Sequence, residues 1–182
     1  MTLYEKYINT DYVAPLRIAG QFINEGDISN VISPYSGDVI GKTNTATRDH
    51  LVDAVKIAYQ FFKNEKYEAF ERARVLDKAA DKLETNREDF ARIITSESAK
   101  PIKTARIEVD RAVQTFSFSA SAARTHVGEM IALDAHPSGA NRTAFTLRVP
   151  IGVVAAIAPF NFPLNLVAHK VAPAIAAGCP IV

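Results

Sequence analysis

The stretch Ile151-Gly152-Val153-Val154-Ala155-Ala156-Ile157-Ala158, followed by Pro159-Phe160-Asn161-Phe162-Pro163-Leu164, decides the fold class of this chain. An unbroken apolar run reads as a strand buried on both faces of a parallel sheet, because such strands lose the polar alternation of a half-exposed one. The turn Pro159-Phe160-Asn161-Phe162 then leads into a helix. Pro163 suits the first helical position, and Leu164, Val167, Val171 and Ile175 recur at helical spacing. Gly178 stands where a C-terminal cap belongs, and Cys179-Pro180-Ile181-Val182 begins a second apolar strand. Strand, helix and strand form a βαβ unit with an expected right-handed crossover. Two parallel strands need neighbours and covering helices, so the chain is expected to be the truncated opening part of a longer α/β domain.

Upstream, Gly128 to Pro150 reads as a long β-hairpin. Met130 to Leu133 and Thr143 to Val149 flank the turn-rich His136-Pro137-Ser138-Gly139-Ala140-Asn141. Two strands are marginal in water, so this arm is expected to pack on another subunit or on a part of the chain missing from this sequence. Three or four helices precede it. Thr47 can cap one carrying Leu51, Val52, Val55, Ala58 and Phe62, and a second runs from about Ala69 to Leu83. Asn86 can cap a third with Phe90, Ile93, Ile94 and Glu97 on one face, and Pro101 ends it or opens the next. The fourth carries Ala105, Val109, Val113, Phe116, Ala120 and Ala123. Short strands come first: Leu16 to Ile18 and Phe22-Ile23 flank Gly20, and Asn30 to Ile32 and Asp38 to Ile40 flank the turn Pro34-Tyr35-Ser36-Gly37. The expected division is 1–127 for strands and helices, 128–150 for the arm, and 151–182 for the first βαβ unit.

Composition narrows the function. The chain has 182 residues, 48% hydrophobic and 23% charged, with Lys+Arg 21 against Asp+Glu 20. A net charge of +1 offers no electrostatic footprint for nucleic acid or an anionic membrane. The longest apolar stretch, Val149 to Pro159, is too short to span a bilayer. The polar N-terminus does not read as a signal peptide, and the single cysteine, Cys179, excludes an internal disulfide. A cytoplasmic location is expected.

Several segments then resemble, in order and spacing, the aldehyde dehydrogenase superfamily. They are Arg148-Val149-Pro150-Ile151-Gly152-Val153-Val154, Pro159-Phe160-Asn161-Phe162-Pro163-Leu164-Asn165, Lys170-Val171-Ala172-Pro173-Ala174 and Ala177-Gly178-Cys179-Pro180. Upstream, Pro34-Tyr35-Ser36-Gly37 and Glu97-Ser98-Ala99-Lys100-Pro101 with Glu108-Val109 resemble the family's N-terminal turn and a helix junction. The resemblance implies the N-terminal part of that family's Rossmann-like cofactor-binding domain, class α/β, with a protruding β-hairpin oligomerisation arm. It implies NAD(P)-dependent oxidation of an aldehyde to an acid through a cysteine thiohemiacetal, with NAD or NADP as cofactor. The small-molecule aldehyde is the expected partner, and a homodimer or homotetramer the expected assembly. In family members the nucleophilic cysteine and the helping glutamate lie in later sequence, so these residues alone are expected to be inactive.

Asn161 is the candidate catalytic residue. It follows the carboxyl end of a parallel strand, where open α/β sheets place ligands, and its amide could donate to the oxyanion of a tetrahedral intermediate, the role the resemblance implies. The residue pattern alone favours a turn asparagine capping the helix that Pro163 opens. Ala158, Pro159 and Phe160 are expected to line the cofactor cleft, again by resemblance, since no Gly-x-Gly-x-x-Gly occurs. The resemblance also raises a monovalent-cation site from the carbonyls of Val31 and Ile32 near Glu97, against a plain salt bridge or partly exposed helix end for Glu97. Cys179 reads as a small hydrophobe entering a strand, and His169 with Lys170 as packing residues of the helix. His126 and His136 read as surface residues. The competing function is a non-catalytic nucleotide-binding or oligomer-interaction module.

Overall fold

The structure, a computed structural model, describes residues 1–182. In chain order it forms α1 (Leu3–Tyr7), β1 (Val13–Ala14), β2 (Leu16–Ile18), β3 (Gln21–Ile23), β4 (Ile28–Ile32), β5 (Val39–Asn44), α2 (Arg48–Asn64), α3 (Ala69–Thr85), α4 (Arg87–Ser98) and α5 (Ile102–Thr125). The short strands β6 (Met130–Ile131) and β7 (Ala144–Phe145) follow, and then α6 (Asn165–Ala176). Strand β5 is central in a three-stranded sheet, parallel to β1 and antiparallel to β4, while β2 and β3 make a separate hairpin. No helix is long and apolar enough to cross a membrane.

Small side chains along α5 let three helices approach it closely. Ala120 and Ala123 pack with Ala73 and Leu76 of α3 and with Ala172 and Ala176 of α6. Ala112 meets Leu83 and Ala168, and Ala105 and Val109 meet Ala91 and Ile94 of α4. The alternation expected of a helix buried on several sides is thus realised chiefly with alanine. Helix α2 differs. Thr47 caps it as expected, with a reciprocal bond to His50, yet no residue of α2 is buried and Leu51, Val52 and Val55 are exposed. Its apolar stripe finds no partner among these residues.

Four other expectations need correction. Asn86 does not cap α4 with its side chain. Its Nδ2 donates instead to the Lys82 carbonyl at 2.8 Å, closing the end of α3. The arm is shorter than expected: β6 and β7 pair over two residues each, and Leu133 lies in a 3₁₀ turn. The apolar run 151–158 does pair in parallel with the residues after α6, through Val154 with Ile181 and backbone bonds of 2.8 to 2.9 Å. It is not buried on both faces, however. Ile151 and Ile157 are 89% and 90% exposed, because no second strand or covering layer reaches them. By the usual scaling a folded monomer of this mass exposes about 8,700 Å². This chain exposes 12185 Å².

The fourth correction concerns the start of α6. Pro163 lies in a turn, and the helix begins only at Asn165 with no side-chain cap of its own. Its first donors are satisfied from another helix. Glu108 sits in the Ala105–Val109–Ala112 stripe of α5, only 1% exposed, and its Oε1 accepts from the Leu164 and Asn165 amides at 2.9 and 3.2 Å. A carboxylate at a helix N-terminus meets both the free N–H groups and the positive end of the helix dipole, so charge-assisted bonds replace the local cap. At the other end Gly178, with φ of 81°, closes α6 as expected. Its N–H donates to Ile175 and that of Cys179 to Ala174, both at 2.9 Å, which is the Schellman pattern.

Two stability measurements follow. Glu108→Ala removes the acceptor for two helix donors and the partner of a buried cation, so urea unfolding should show a loss of about 3 kcal/mol or more; Glu108→Gln, which keeps an acceptor oxygen, should lose clearly less. Equal losses would contradict the capping role. Gly178→Ala places a Cβ 2.9 Å from Pro150 and 3.0 Å from Arg72 in a left-handed conformation. It should destabilise by about 1 kcal/mol or more, and an unchanged unfolding midpoint would refute the strain.

Candidate active site

The candidate site is built where the extended segment 151–158, paired with the chain after α6 at the single bridge Val154–Ile181, bends toward α6. Ala158 is half-buried, Pro159 is exposed and Phe160 is 91% exposed, so the strand end offers apolar surface outside the sheet ladder. Asn161 is exposed in the following turn. Its carboxamide makes no hydrogen bond within the chain, whereas its backbone carbonyl accepts from Lys100 Nζ at 2.8 Å. The asparagine therefore does not cap α6: Glu108 performs that task, and the amide of Asn161 is left free to act on something else.

Lys100 holds this bend. Helix α4 ends at Ser98, Ala99 turns into the left-handed region at φ 55°, and Lys100-Pro101 lead directly into α5. From there the ammonium group reaches three things. It donates to Glu108 Oε2 and to the Asn161 carbonyl, and it lies 4.2 Å from the centre of the Phe162 ring. An ammonium over an aromatic face is stabilised by the ring quadrupole, so Phe162 is fixed beneath it. The Lys100 side chain is 12% exposed and that of Glu108 is fully buried, so the pair is shielded from solvent.

This arrangement constrains any dinucleotide. In a nucleotide-binding βαβ unit the pyrophosphate ordinarily sits on the N-terminus of the crossover helix. Here the Leu164 and Asn165 amides are already engaged by a carboxylate, whose negative charge would repel a phosphate. The absence of a glycine-rich loop and the occupied helix end agree. At Ala158, Pro159 and Phe160 the chain leaves apolar surface against which a flat ring could lie. The residues at the start of α6 do not fit the phosphates of such a cofactor.

The remaining candidates disperse. Val31 and Ile32 lie on either side of a register shift in β4. A groove between the turn after β4 and the α4–α5 junction is lined by Ser33, Thr95, Ser96, Ala99 and Lys100 among others, but by none of Val31, Ile32 and Glu97. Glu97 is an exposed residue of the last turn of α4 without an ion pair, not a carboxylate buried on the apolar face. Desolvation by the surrounding chain nonetheless pushes its carboxyl above the ordinary carboxylate range. No cluster of three metal-ligating side chains exists. Cys179 is buried, His169, His126 and His136 are exposed, and the His136 ring bonds only Ser138. Glu108 and Lys100 are the site residues that pattern reading left without a role. The signal was present, since Glu108 is a charge inside an otherwise apolar helical stripe.

With this geometry in place, comparison with known proteins gives a consistent result. Residues 22–182 match the model of the aldehyde dehydrogenase family. The chain is 41% identical over 167 residues to a 3-sulfolactaldehyde dehydrogenase of Priestia aryabhattai, covering 92% of this chain and 35% of that protein. Among solved structures, aldehyde dehydrogenase 21 of Physcomitrella patens in complex with the reaction product succinate superposes with a TM-score of 0.88 at 37% identity, covering 93% of this chain and 36% of that one. A glyceraldehyde-3-phosphate dehydrogenase of Methanocaldococcus jannaschii complexed with NADP gives 0.79 at 40% identity, covering 87% and 34%. The chain spans about a third of the length of the curated relatives it matches. A match over nearly the whole chain, in sequence and in fold together, leaves one conclusion: the chain belongs to the aldehyde dehydrogenase family.

Proposed function

We propose that residues 151–165 form the oxyanion side of the catalytic pocket of an NAD(P)-dependent aldehyde dehydrogenase, with Asn161 as the donor. The observation that carries this reading is the free carboxamide of Asn161 beside a bend whose backbone is held elsewhere. Attack of a thiolate on an aldehyde carbon breaks the C=O π bond and places the electron pair on oxygen. The Asn161 Nδ2–H group would donate to that oxygen, and a donor held in place before the reaction needs little reorganisation as charge develops. Ala158, Pro159 and Phe160 would line the cofactor cleft, offering backbone and van der Waals contact to the nicotinamide. A nicotinamide dinucleotide held at Ala158, Pro159 and Phe160 would supply the hydride acceptor that oxidation of the aldehyde requires. The attacking cysteine and the glutamate that assists deacylation are expected from the family in sequence beyond residue 182.

The relatives' names speak for a short, polar aldehyde: one acts on 3-sulfolactaldehyde, and one structure holds succinate as its product. The exposed apolar side chains Met130, Phe145, Leu147 and Val149 support assigning the β6–β7 hairpin as the arm through which the complete enzyme forms a homodimer or homotetramer.

In the full-length protein carrying residues 1–182, Asn161→Ala should slow acylation, read as the first-turnover rate of NAD(P)H formation, by about 100-fold. Cofactor affinity, measured by fluorescence titration, should stay within about twofold, because an oxyanion donor acts on the transition state rather than on cofactor binding. An unchanged first-turnover rate would remove Asn161 from the chemistry.

A further inference from the structure

Lys100 and Glu108 hold both ends of one short bend. At one end the Asn161 carbonyl accepts from Lys100 at 2.8 Å, and at the other the Leu164 and Asn165 amides donate to Glu108 at 2.9 and 3.2 Å. The two charged groups are bonded to each other, so residues 161–165 are fastened at both ends to a single buried ion pair. Fixing the Asn161 carbonyl fixes the peptide plane between Asn161 and Phe162, and Phe162 is held in turn under the ammonium at 4.2 Å. The peptide that follows Asn161 is thereby anchored on its carbonyl side.

We infer that Lys100 and Glu108 are a positioning pair for Asn161: they hold its carboxamide at the place where an oxyanion develops, without touching the substrate. This rests on the oxyanion reading of Asn161 and adds to it the source of the preorganisation. The chemistry suits the task. An ammonium has three donors and no acceptor, so it can bond a carboxylate and a carbonyl at once. A shielded, mutually neutralising pair also leaves little net charge to disturb a neighbouring oxyanion. Lys100 comes from the α4–α5 junction and Glu108 from α5 itself, and the two helices are held together by the packing of Ala91, Ile94, Ala105 and Val109. The bend thus inherits the rigidity of the helical layer rather than the mobility of a loop.

A double-mutant cycle on the first-turnover rate tests this in the full-length protein carrying residues 1–182, using wild type, Lys100→Met, Asn161→Ala and the double variant. Displacing a catalytic group slightly slows chemistry by one to two orders of magnitude, so Lys100→Met should lower the rate about tenfold, with cofactor affinity unchanged. The double variant should be no slower than Asn161→Ala alone, because a positioning residue has nothing left to position. A wild-type rate for Lys100→Met, or two effects that multiply, would overturn the pair's role while leaving that of Asn161 intact. A wild-type rate for Asn161→Ala would overturn both. Should Lys100→Met fail to fold, Glu108→Gln takes its place in the cycle with the same outcomes. Glutamine keeps an acceptor for the Leu164 and Asn165 amides while releasing the ammonium from its partner.

Discussion

The Glu108 carboxylate lies wholly inside the protein, where a charge is tolerated only if its lone pairs are filled and its charge is answered. Three groups meet that requirement: the Leu164 and Asn165 amides and the Lys100 ammonium. Each belongs to a different stretch of chain from α5, so satisfying one buried charge ties the α4–α5 junction to the start of α6. The position of α6 settles the bend before it, and the bend carries Asn161. From one desolvated carboxylate the structure thus derives where a crossover helix begins, how a strand turns into it and why an exposed carboxamide has no local partner.

The same group explains a feature that sets this βαβ unit apart from nucleotide-binding units with a glycine-rich loop. A free helix N-terminus attracts phosphate. When a carboxylate from the next helix takes that place, the helix end is removed as an anion site and the bend can serve an uncharged polar side chain instead. The missing glycine motif and the occupied helix end are two views of one design choice.

Much of the architecture was legible in the sequence because it follows from periodicity and turn chemistry. Helices α3 and α5 follow from their apolar spacing, the β2–β3 hairpin from the Gly20 turn, the end of α6 from Gly178, and the pairing of Val154 with Ile181 from the βαβ pattern. The failures have physical reasons. Helix α1 carries a capping box of Thr2 and Glu5 but has only five residues, too few to show a period. Strand β1 has two residues and is defined only by its partner β5. Burial of the run 151–158 was inferred from its apolar composition, yet burial depends on what lies against a strand, and Ile151 and Ile157 have nothing against them. The expected start of α6 at Pro163 weighed local cap signals, whereas its actual cap comes from a residue 56 positions earlier than Leu164. Long-range satisfaction of a buried polar group leaves only an indirect trace in sequence, a charge standing in an apolar stripe.

Amide hydrogen exchange at Leu164 and Asn165 tests the central claim most directly, because these two donors precede the first intrahelical bonds of α6 and would be unprotected in an uncapped helix. If the Glu108 carboxylate holds them, both amides exchange as slowly as those in the middle of α6, and both lose that protection together in Glu108→Ala. Exchange at the rate of an open loop in the unaltered protein would show that the carboxylate does not hold the bend.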